Sequence, residues 1–189
     1  MKLLIVYGTT EGQTRKIAEF LKIEAEKTGT QVTLCDATME QISPEKFDAV
    51  MIGASLHMHK YQTSITHYIK SYLGALNDMP TAFFSVSLSM LSEAYDEKTF
   101  QELKDITMQF LVDTGWNPTA IEYVAGALRY TEYDFFKKFI MRMIAQKGGG
   151  KDTDSSQDYE YTDWVRVRIF LNEFMKLAAR APKLADEIL

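Results

Sequence analysis

The chain has 189 residues, of which 46% are hydrophobic and 25% are charged, and its formal net charge is −5. This composition is typical of one globular domain with a full core, and the negative charge excludes a general nucleic-acid binder. Cys35 is the single cysteine, so an internal disulfide is impossible and a reducing, cytoplasmic location is predicted. The sequence shows no apolar run long enough to predict a transmembrane helix.

Five short segments predict the strands of a buried sheet. The first, Leu3-Leu4-Ile5-Val6, is continuously apolar rather than alternating, as in parallel strands that helices cover on both faces. The predicted strands span residues 2–7, 31–35, 48–53, 81–88 and 119–125.

Apolar residues spaced three to four apart predict helices between and after these strands. The predicted helices span residues 12–28, 64–76, 96–114, 131–147 and 161–178, with a short helical start at Ser43-Pro44-Glu45. The alternation predicts an α/β fold, a doubly wound five-stranded parallel sheet with helices on both faces. We expect one domain over residues 1–178 and a C-terminal tail over residues 179–189.

Four loops follow strand ends and are expected to meet at one edge of the sheet. They span residues 8–14, 54–61, 86–95 and 126–134. Open α/β sheets bind their ligands outside the carboxyl ends of the strands, so we expect the binding site at this edge.

The turn after the first strand is rich in hydroxyl side chains. Backbone N–H groups and the positive end of a helix dipole converge there, and Gly12 allows close approach, so a phosphate is the expected ligand. Thr9, Thr10 and Thr14 would add hydroxyl donors, whereas Glu11 is expected to point outward to water. A tight strand-to-helix turn without a ligand is the alternative.

The sequence lacks the motifs of several common enzyme classes. Gln13 stands where the phosphate-binding loop of a nucleoside triphosphatase needs its lysine, which makes that class unlikely. The three-glycine dinucleotide fingerprint is also missing, which disfavours NAD. No Ser-His-Asp set, Cys-His set or HExxH motif is apparent, so we assign no catalytic residue.

The loop after the third strand holds two histidines, His57 and His59, but no obvious third ligand, so no metal site is predicted. This loop is either a polar surface loop or the lining for one face of a planar ring. In the second case Tyr61 would be the stacking partner.

The segment over residues 129–151 is aromatic and basic within an acidic protein. It carries six basic residues, beginning with Arg129, against Glu132 and Asp134. A core helix with a solvated basic face is one interpretation, and docking to an anionic substrate or membrane surface is the other.

The turn Thr9-Thr10-Glu11-Gly12-Gln13-Thr14 resembles the FMN phosphate loop of flavodoxins, with Glu11 where they usually carry threonine. Five further pieces resemble the flavodoxin-like menaquinone-dependent protoporphyrinogen dehydrogenases. They are Ile52-Gly53-Ala54-Ser55-Leu56, Met79-Pro80-Thr81-Ala82-Phe83-Phe84-Ser85-Val86, Ala125-Gly126-Ala127-Leu128-Arg129-Tyr130, Gly149-Gly150 and Tyr161-Thr162-Asp163-Trp164. The resemblance runs in order over about residues 2–178.

This resemblance implies strand order 2-1-3-4-5 and an FMN cofactor that takes reducing equivalents from protoporphyrinogen IX and passes them to a quinone in haem synthesis. The implied partners are a porphyrinogen-like small molecule and a quinone, met by peripheral contact with the inner face of the cell membrane. The implied cofactor-binding residues are Thr9, Thr10, Glu11, Gly12, Gln13, Thr14, Ser55, Leu56, His57, Tyr61, Ser85, Val86, Ser87, Leu88, Gly126, Ala127, Leu128, Arg129 and Tyr130.

The segment over residues 88–105 departs from the resemblance, which implies a basic loop for the substrate. It carries five acidic residues against Lys98 and Lys104, a poor match for a substrate with two propionates. A second interpretation therefore stays open, a flavodoxin-like carrier that passes single electrons between protein partners.

Overall fold

The computed structural model describes residues 1–87, 97–128 and 159–181, without the side chains of residues 127, 128 and 159. Its main sheet is parallel, with strand order β2-β1-β3-β4-β5, which confirms the predicted topology. The strands are β1 (Lys2–Gly8), β2 (Gln31–Asp36), β3 (Ala49–Ser55), β4 (Thr81–Ser87) and β5 (Ala120–Ala125).

Five α-helices lie in the described part of the chain, together with a short 3-10 helix at Pro44–Lys46. They are α1 (Gln13–Glu26), α2 (Thr63–Ser71), α3 (Leu73–Asn77), α4 (Glu97–Thr114) and α5 (Trp164–Arg180). None of the described helices combines the length and the apolarity needed to cross a membrane. The helix predicted over residues 131–147 lies outside the described residues.

The prediction of one helix over residues 64–76 is wrong, because Tyr72 separates α2 from α3. Its φ of −121° and ψ of 22° are not helical. Gly74, two residues further on, weakens the helical preference of the chain at this join.

Two apolar layers cover the sheet. Side chains alternate along β1, so that Leu3 and Ile5 pack under α1 and α5, while Leu4 and Val6 pack under α2, α3 and α4. Cys35 is fully buried in the second layer, as expected for a small hydrophobic side chain. Helices therefore cover both faces of the sheet, as predicted.

The chain after β5 forms a small antiparallel ribbon that the sequence did not predict. Its strands are β6 (Ala127–Leu128) and β7 (Tyr159–Glu160), which pair Ala127 with Glu160 and Leu128 with Tyr159. Strands of two residues show no hydrophobic period, and these two lie far apart along the chain, so pattern reading cannot find them.

The register of the main sheet aligns the carboxyl ends of its strands. Ser55 pairs with Val86, and Ser87 pairs with Ala125. Backbone bonds continue the alignment past the strands, from Leu56 N–H to the Val86 carbonyl at 2.8 Å and from Gly126 N–H to the Ser87 carbonyl at 3.1 Å. The loops after β1, β3, β4 and β5 consequently open at one edge.

The α5 helix begins at Trp164, three residues after the predicted start at residue 161. Asp163 caps it, since its Oδ1 accepts a hydrogen bond from the N–H of Arg166 at 3.0 Å. Trp164 anchors the first turn against Phe20 of α1, with ring centroids 4.7 Å apart. The helix continues to Arg180, and the tail expected over residues 179–189 lies largely outside the described residues.

Candidate functional site

A cleft opens at the carboxyl edge of the sheet, between the α1 turn and the ends of β3, β4 and β5. Every residue that lines it belongs to the set expected from the sequence. They are Thr9, Glu11, Gln13, Thr14, Ser55, Leu56, His57, Val86, Ser87 and Gly126.

The turn between β1 and α1 presents free backbone donors to this cleft. Gly12 adopts a left-handed conformation, φ 86° and ψ −14°, and its N–H donates to Thr9 Oγ1 at 2.8 Å. No side chain caps α1, and its first turn carries no acidic residue. The N–H groups at the start of α1 are therefore available to an anionic ligand.

The buried hydroxyl of Thr14 indicates that the turn is suited to binding a ligand. Its side chain is fully buried, and its Oγ1 has no hydrogen-bond partner among the described residues. Burying a hydroxyl without a partner destabilises the fold, so such groups usually have one in the functional state. An oxygen-rich ligand in the turn would accept this hydrogen bond, which fits a phosphate.

The expectation that Glu11 points outward to water is wrong. Only 14% of its side chain is exposed, and its Oε1 lies 3.5 Å from His57 Nε2. Burial lowers the pKa of His57, so its imidazole is neutral at pH 7 and the contact is not a full ion pair. Glu11 thus joins the α1 turn to the loop after β3.

That loop folds back in a tight turn over residues 57–60. His57 and Lys60 exchange two backbone hydrogen bonds of 2.9 Å, and Met58 and His59 take positive φ values of 47° and 63°. Met58 is 90% exposed at the tip. The described residues hold no group of three or more metal-ligating side chains.

Tyr61 and Ser85 lie in the core rather than in the cleft. The hydroxyl of Tyr61 is within 2.8 Å of both Ser85 Oγ and Thr107 Oγ1, and its ring packs on Phe83 and Phe110. Burial raises the pKa of Tyr61 to about 12. This placement does not support Tyr61 as a stacking partner for a planar ligand, nor Ser85 as a contact for its polar edge.

Gln62 is a residue that sequence reasoning missed. Its Oε1 accepts from the N–H of Ser55 at 3.1 Å, and its Nε2 donates to Ser55 Oγ and, at 3.4 Å, to Thr10 Oγ1. Thr10 is exposed and lies outside the cleft. The glutamine links the end of β3 to the α1 turn, and no local pattern in the sequence could reveal this contact.

Gln13 turns its side-chain amide towards the segment that follows β7. Its Nε2 donates to Thr162 Oγ1 at 2.9 Å and to Glu160 Oε1 at 3.3 Å. Sequence reasoning noted the Tyr161-Thr162-Asp163-Trp164 motif but gave Thr162 no role. Its proximity to the α1 turn depends on the tertiary fold.

Two larger cavities lie elsewhere in the described residues, so volume alone does not select the site. One lies beside Lys60 and Phe110, and the other lies beside Glu122 and Arg166. The cleft is preferred because the open N–H groups of the first turn and the buried hydroxyl of Thr14 converge there.

Five expected site residues are described only in part or not at all. Ala127 and Leu128 form β6, and their side chains are not described. Leu88, Arg129 and Tyr130 lie outside the described residues, as does the whole basic segment over residues 129–151. Their assignment to a cofactor site stays a prediction.

Comparison with known sequences covers nearly the whole chain. The profile of a flavodoxin domain family matches residues 4–156. The protoporphyrinogen IX dehydrogenase (quinone) of Escherichia coli (strain K12) is 34% identical over 178 residues, which is 94% of this chain and 96% of that protein. The protein of the same name from Leishmania major is 31% identical over 193 residues, 96% of this chain and 78% of that protein.

Solved structures share the fold at low identity. Oxidised flavodoxin 1 from Bacillus cereus has a TM-score of 0.54 and 15% identity, over 93% of this chain and 98% of that one. A flavodoxin from the domain Archaea has a TM-score of 0.53 and 14% identity, over 95% of this chain and 99% of that one. The chain therefore belongs to the flavodoxin domain family, in the group of the quinone-linked protoporphyrinogen IX dehydrogenases.

Proposed function

We propose that the protein is an FMN-dependent oxidoreductase that oxidises a porphyrinogen and reduces a quinone. The observation that carries this proposal is the 34% identity, over 94% of the chain, to an enzyme whose name gives both the donor and the acceptor. Each pair of electrons and protons removed from the porphyrinogen converts one quinone to a quinol, so the reaction balances.

Membership of the flavodoxin domain family implies a flavin, and the α1 turn favours FMN among the flavins. FMN differs from riboflavin by its phosphate, and the turn offers donors suited to that group. The Thr14 hydroxyl has no partner among the described residues, and the first-turn N–H groups of α1 have no side-chain cap. In this proposal Thr9, Thr14 and these N–H groups hold the phosphate.

The strand ends would hold the remainder of the cofactor. Leu56, Val86 and Ser87 line the cleft beside the turn, with Gly126 completing it after β5. Bound FMN would supply the redox chemistry. The chain's own residues bind and orient it, and the apolar side chains of Leu56 and Val86 keep water from one side of the cleft.

We also propose that the quinone is met at the cytoplasmic surface of a membrane. The support is chemical, because a long-chain quinone partitions into the lipid bilayer. No described helix can cross that bilayer, so the protein would meet the quinone at the membrane surface. Sedimentation with vesicles that carry menaquinone should bring the protein down with the lipid. Protein that stays in the supernatant while quinone turnover persists would contradict a membrane contact.

The direct test combines a spectrum with an assay. Purified protein should show the visible absorption of bound FMN and should oxidise protoporphyrinogen when a menaquinone analogue is supplied. A protein that binds FMN without any quinone-dependent turnover, yet exchanges single electrons with a partner reductase, would replace this proposal with the electron carrier.

The phosphate position is tested by Gly12→Val, which crowds the turn at a left-handed residue. Gly29→Val is the matched control, because Gly29 also has a left-handed φ of 82° but has nothing within 4 Å of an added Cβ. Both variants place a β-branched residue at a positive φ, 86° at position 12 and 82° at position 29. The Gly12 variant should lose FMN while the Gly29 variant retains it; equal retention by both would place the phosphate elsewhere.

A further inference from the structure

The side chain of Gln13 is buried at the first position of α1, with 8% of the residue exposed. Its amide nitrogen donates to Thr162 Oγ1 at 2.9 Å and to Glu160 Oε1 at 3.3 Å, so both amide hydrogens are used. The side-chain amide of this glutamine is therefore bound to Glu160 of β7 and to Thr162 just after it, although the residue also lines the cleft.

Thr162 continues this connection to β5. It is 8% exposed, and its hydroxyl donates to the Ala125 carbonyl at 2.8 Å. Because a hydroxyl has one hydrogen, the contact with Gln13 must be one in which Thr162 accepts. The donor order is consequently fixed, from Gln13 to Thr162 to the carbonyl of Ala125.

Two neighbouring contacts hold the ribbon of β6 and β7 in the same place. The N–H of Tyr161 donates to the Gly126 carbonyl at 3.3 Å, and Lys16 forms an ion pair with Glu160. The lysine side chain is 55% exposed, so solvent screens that pair, whereas the Gln13–Thr162 bond is buried. The buried bond thus links α1 to the segment that directly follows β7.

We propose that Gln13 and Thr162 are positioning residues of the phosphate site. Their bond fixes the first residue of α1, and so aims the first-turn N–H groups and the hydroxyl of Thr14, the next residue, into the cleft. The inference rests on the proposed FMN site and deepens it. The ribbon is distant from the turn in sequence, yet it would contribute to the affinity of the turn for the cofactor's phosphate.

Thermodynamic linkage gives this proposal a second consequence. If the ribbon orders the turn for phosphate, phosphate binding must stabilise the ribbon by the same free energy. A flavin without a phosphate would leave the ribbon unchanged. Comparing FMN with riboflavin therefore separates a positioning role from a general contribution to folding.

The test measures dissociation constants of FMN and riboflavin by flavin fluorescence for wild type and three variants. Thr162→Val keeps the shape but loses the hydroxyl, and should weaken FMN binding about tenfold or more. Riboflavin affinity should change far less, so the preference for FMN falls. Thr162→Ser, which retains the hydroxyl, should restore that preference.

Thr81→Val is the matched control at the opposite end of β4. Thr81 is buried like Thr162, and its hydroxyl accepts a hydrogen bond from Trp116 Nε1 at 3.1 Å. Its loss should lower stability without changing the ratio of the two affinities. An unchanged ratio in Thr162→Val, or the same change in the Thr81 variant, would overturn the proposal.

Hydrogen exchange on wild-type protein tests the inference without a variant. FMN should slow exchange of the Tyr161 amide more than riboflavin does, and equal protection by the two flavins would overturn the proposal. Wild-type protein that binds neither flavin would instead overturn the proposed function, and the phosphate site with it. Failure of the function and failure of the positioning role are therefore distinguishable.

Discussion

The ring of Phe84 fills the space beside Gly53 on the neighbouring strand. A Cβ built on Gly53 would lie 2.0 Å from both Cε2 and Cζ of that ring, far inside van der Waals contact. The two residues are register partners of β3 and β4, and both are buried. A glycine is required here because the aromatic ring occupies the space that a side chain at position 53 would need. Gly53 lies two residues before Ser55, which lines the cleft.

Gly53→Ala should therefore destabilise the protein by about 1–3 kcal/mol, since Phe84 must leave its position. Urea unfolding would measure the change. Gly74→Ala is the control, because nothing lies within 4 Å of a Cβ on this exposed residue of α3. That variant should gain about 0.5–1 kcal/mol through helix propensity. Equal effects of the two substitutions would show that backbone entropy, not the ring, decides.

Substitutions of Tyr61 test whether this residue stabilises the core or contacts the cofactor. Tyr61→Phe removes the hydroxyl that contacts Ser85 and Thr107, and should cost about 1–3 kcal/mol in the free energy of unfolding. Tyr61→Leu removes the ring as well and should cost more. Neither variant should change the dissociation constant of FMN in folded protein. Loss of FMN affinity in the leucine variant at unchanged stability would restore the stacking role.

His57 should make stability depend on pH. Burial lowers its pKa in the folded state, so between that value and its ordinary value the unfolded chain binds more protons. Stability then falls as the pH drops below about 6.5, the ordinary pKa of histidine. Urea unfolding at a series of pH values would measure this dependence. As the pH is lowered, the free energy of unfolding should decrease less steeply for His57→Gln than for wild type. A steeper fall for the variant would mean that Glu11 holds the imidazole protonated instead.

Cys35 should be unreactive until the protein unfolds. Its side chain is fully buried, its Sγ lies 3.5 Å from the Glu40 carbonyl, and burial raises the pKa of the thiol. An aromatic disulfide reagent that releases a coloured thiolate on reaction should modify Cys35 slowly in native protein and rapidly in urea-unfolded protein. Rapid modification of folded protein would show local opening around the end of β2.

Much of the cleft could be anticipated from the chain, because its residues follow strand ends. The turn over residues 9–14, the loop from Ser55 to His57 and the pair Val86–Ser87 were all expected at the carboxyl edge, and they meet there. In a parallel sheet the loops that follow the strands all lie at the same edge, so local sequence patterns are enough to identify these loops. The chemistry of each side chain within that edge was harder to anticipate.

Contacts between distant segments decide the orientation of two of these side chains. Glu11 was expected to point to water, yet its Oε1 lies 3.5 Å from His57 Nε2 across the cleft. Tyr61 was one candidate for stacking on a planar ring, yet its own ring packs against Phe83 and Phe110. Neither outcome depends on the residue's own neighbours in sequence.

The sequence by itself determined the alternation of strands and helices, the two helical layers and the position of the turn between β1 and α1, because apolar periodicity and turn chemistry act over a few residues. The strand order was expected from the family resemblance. Tertiary structure decided the ribbon of β6 and β7, the core placement of Tyr61 and the bond from Gln13 to Thr162, which are 149 residues apart. Those features depend on which buried polar groups come within hydrogen-bond distance. Packing of the whole chain determines that distance, and no local pattern encodes it.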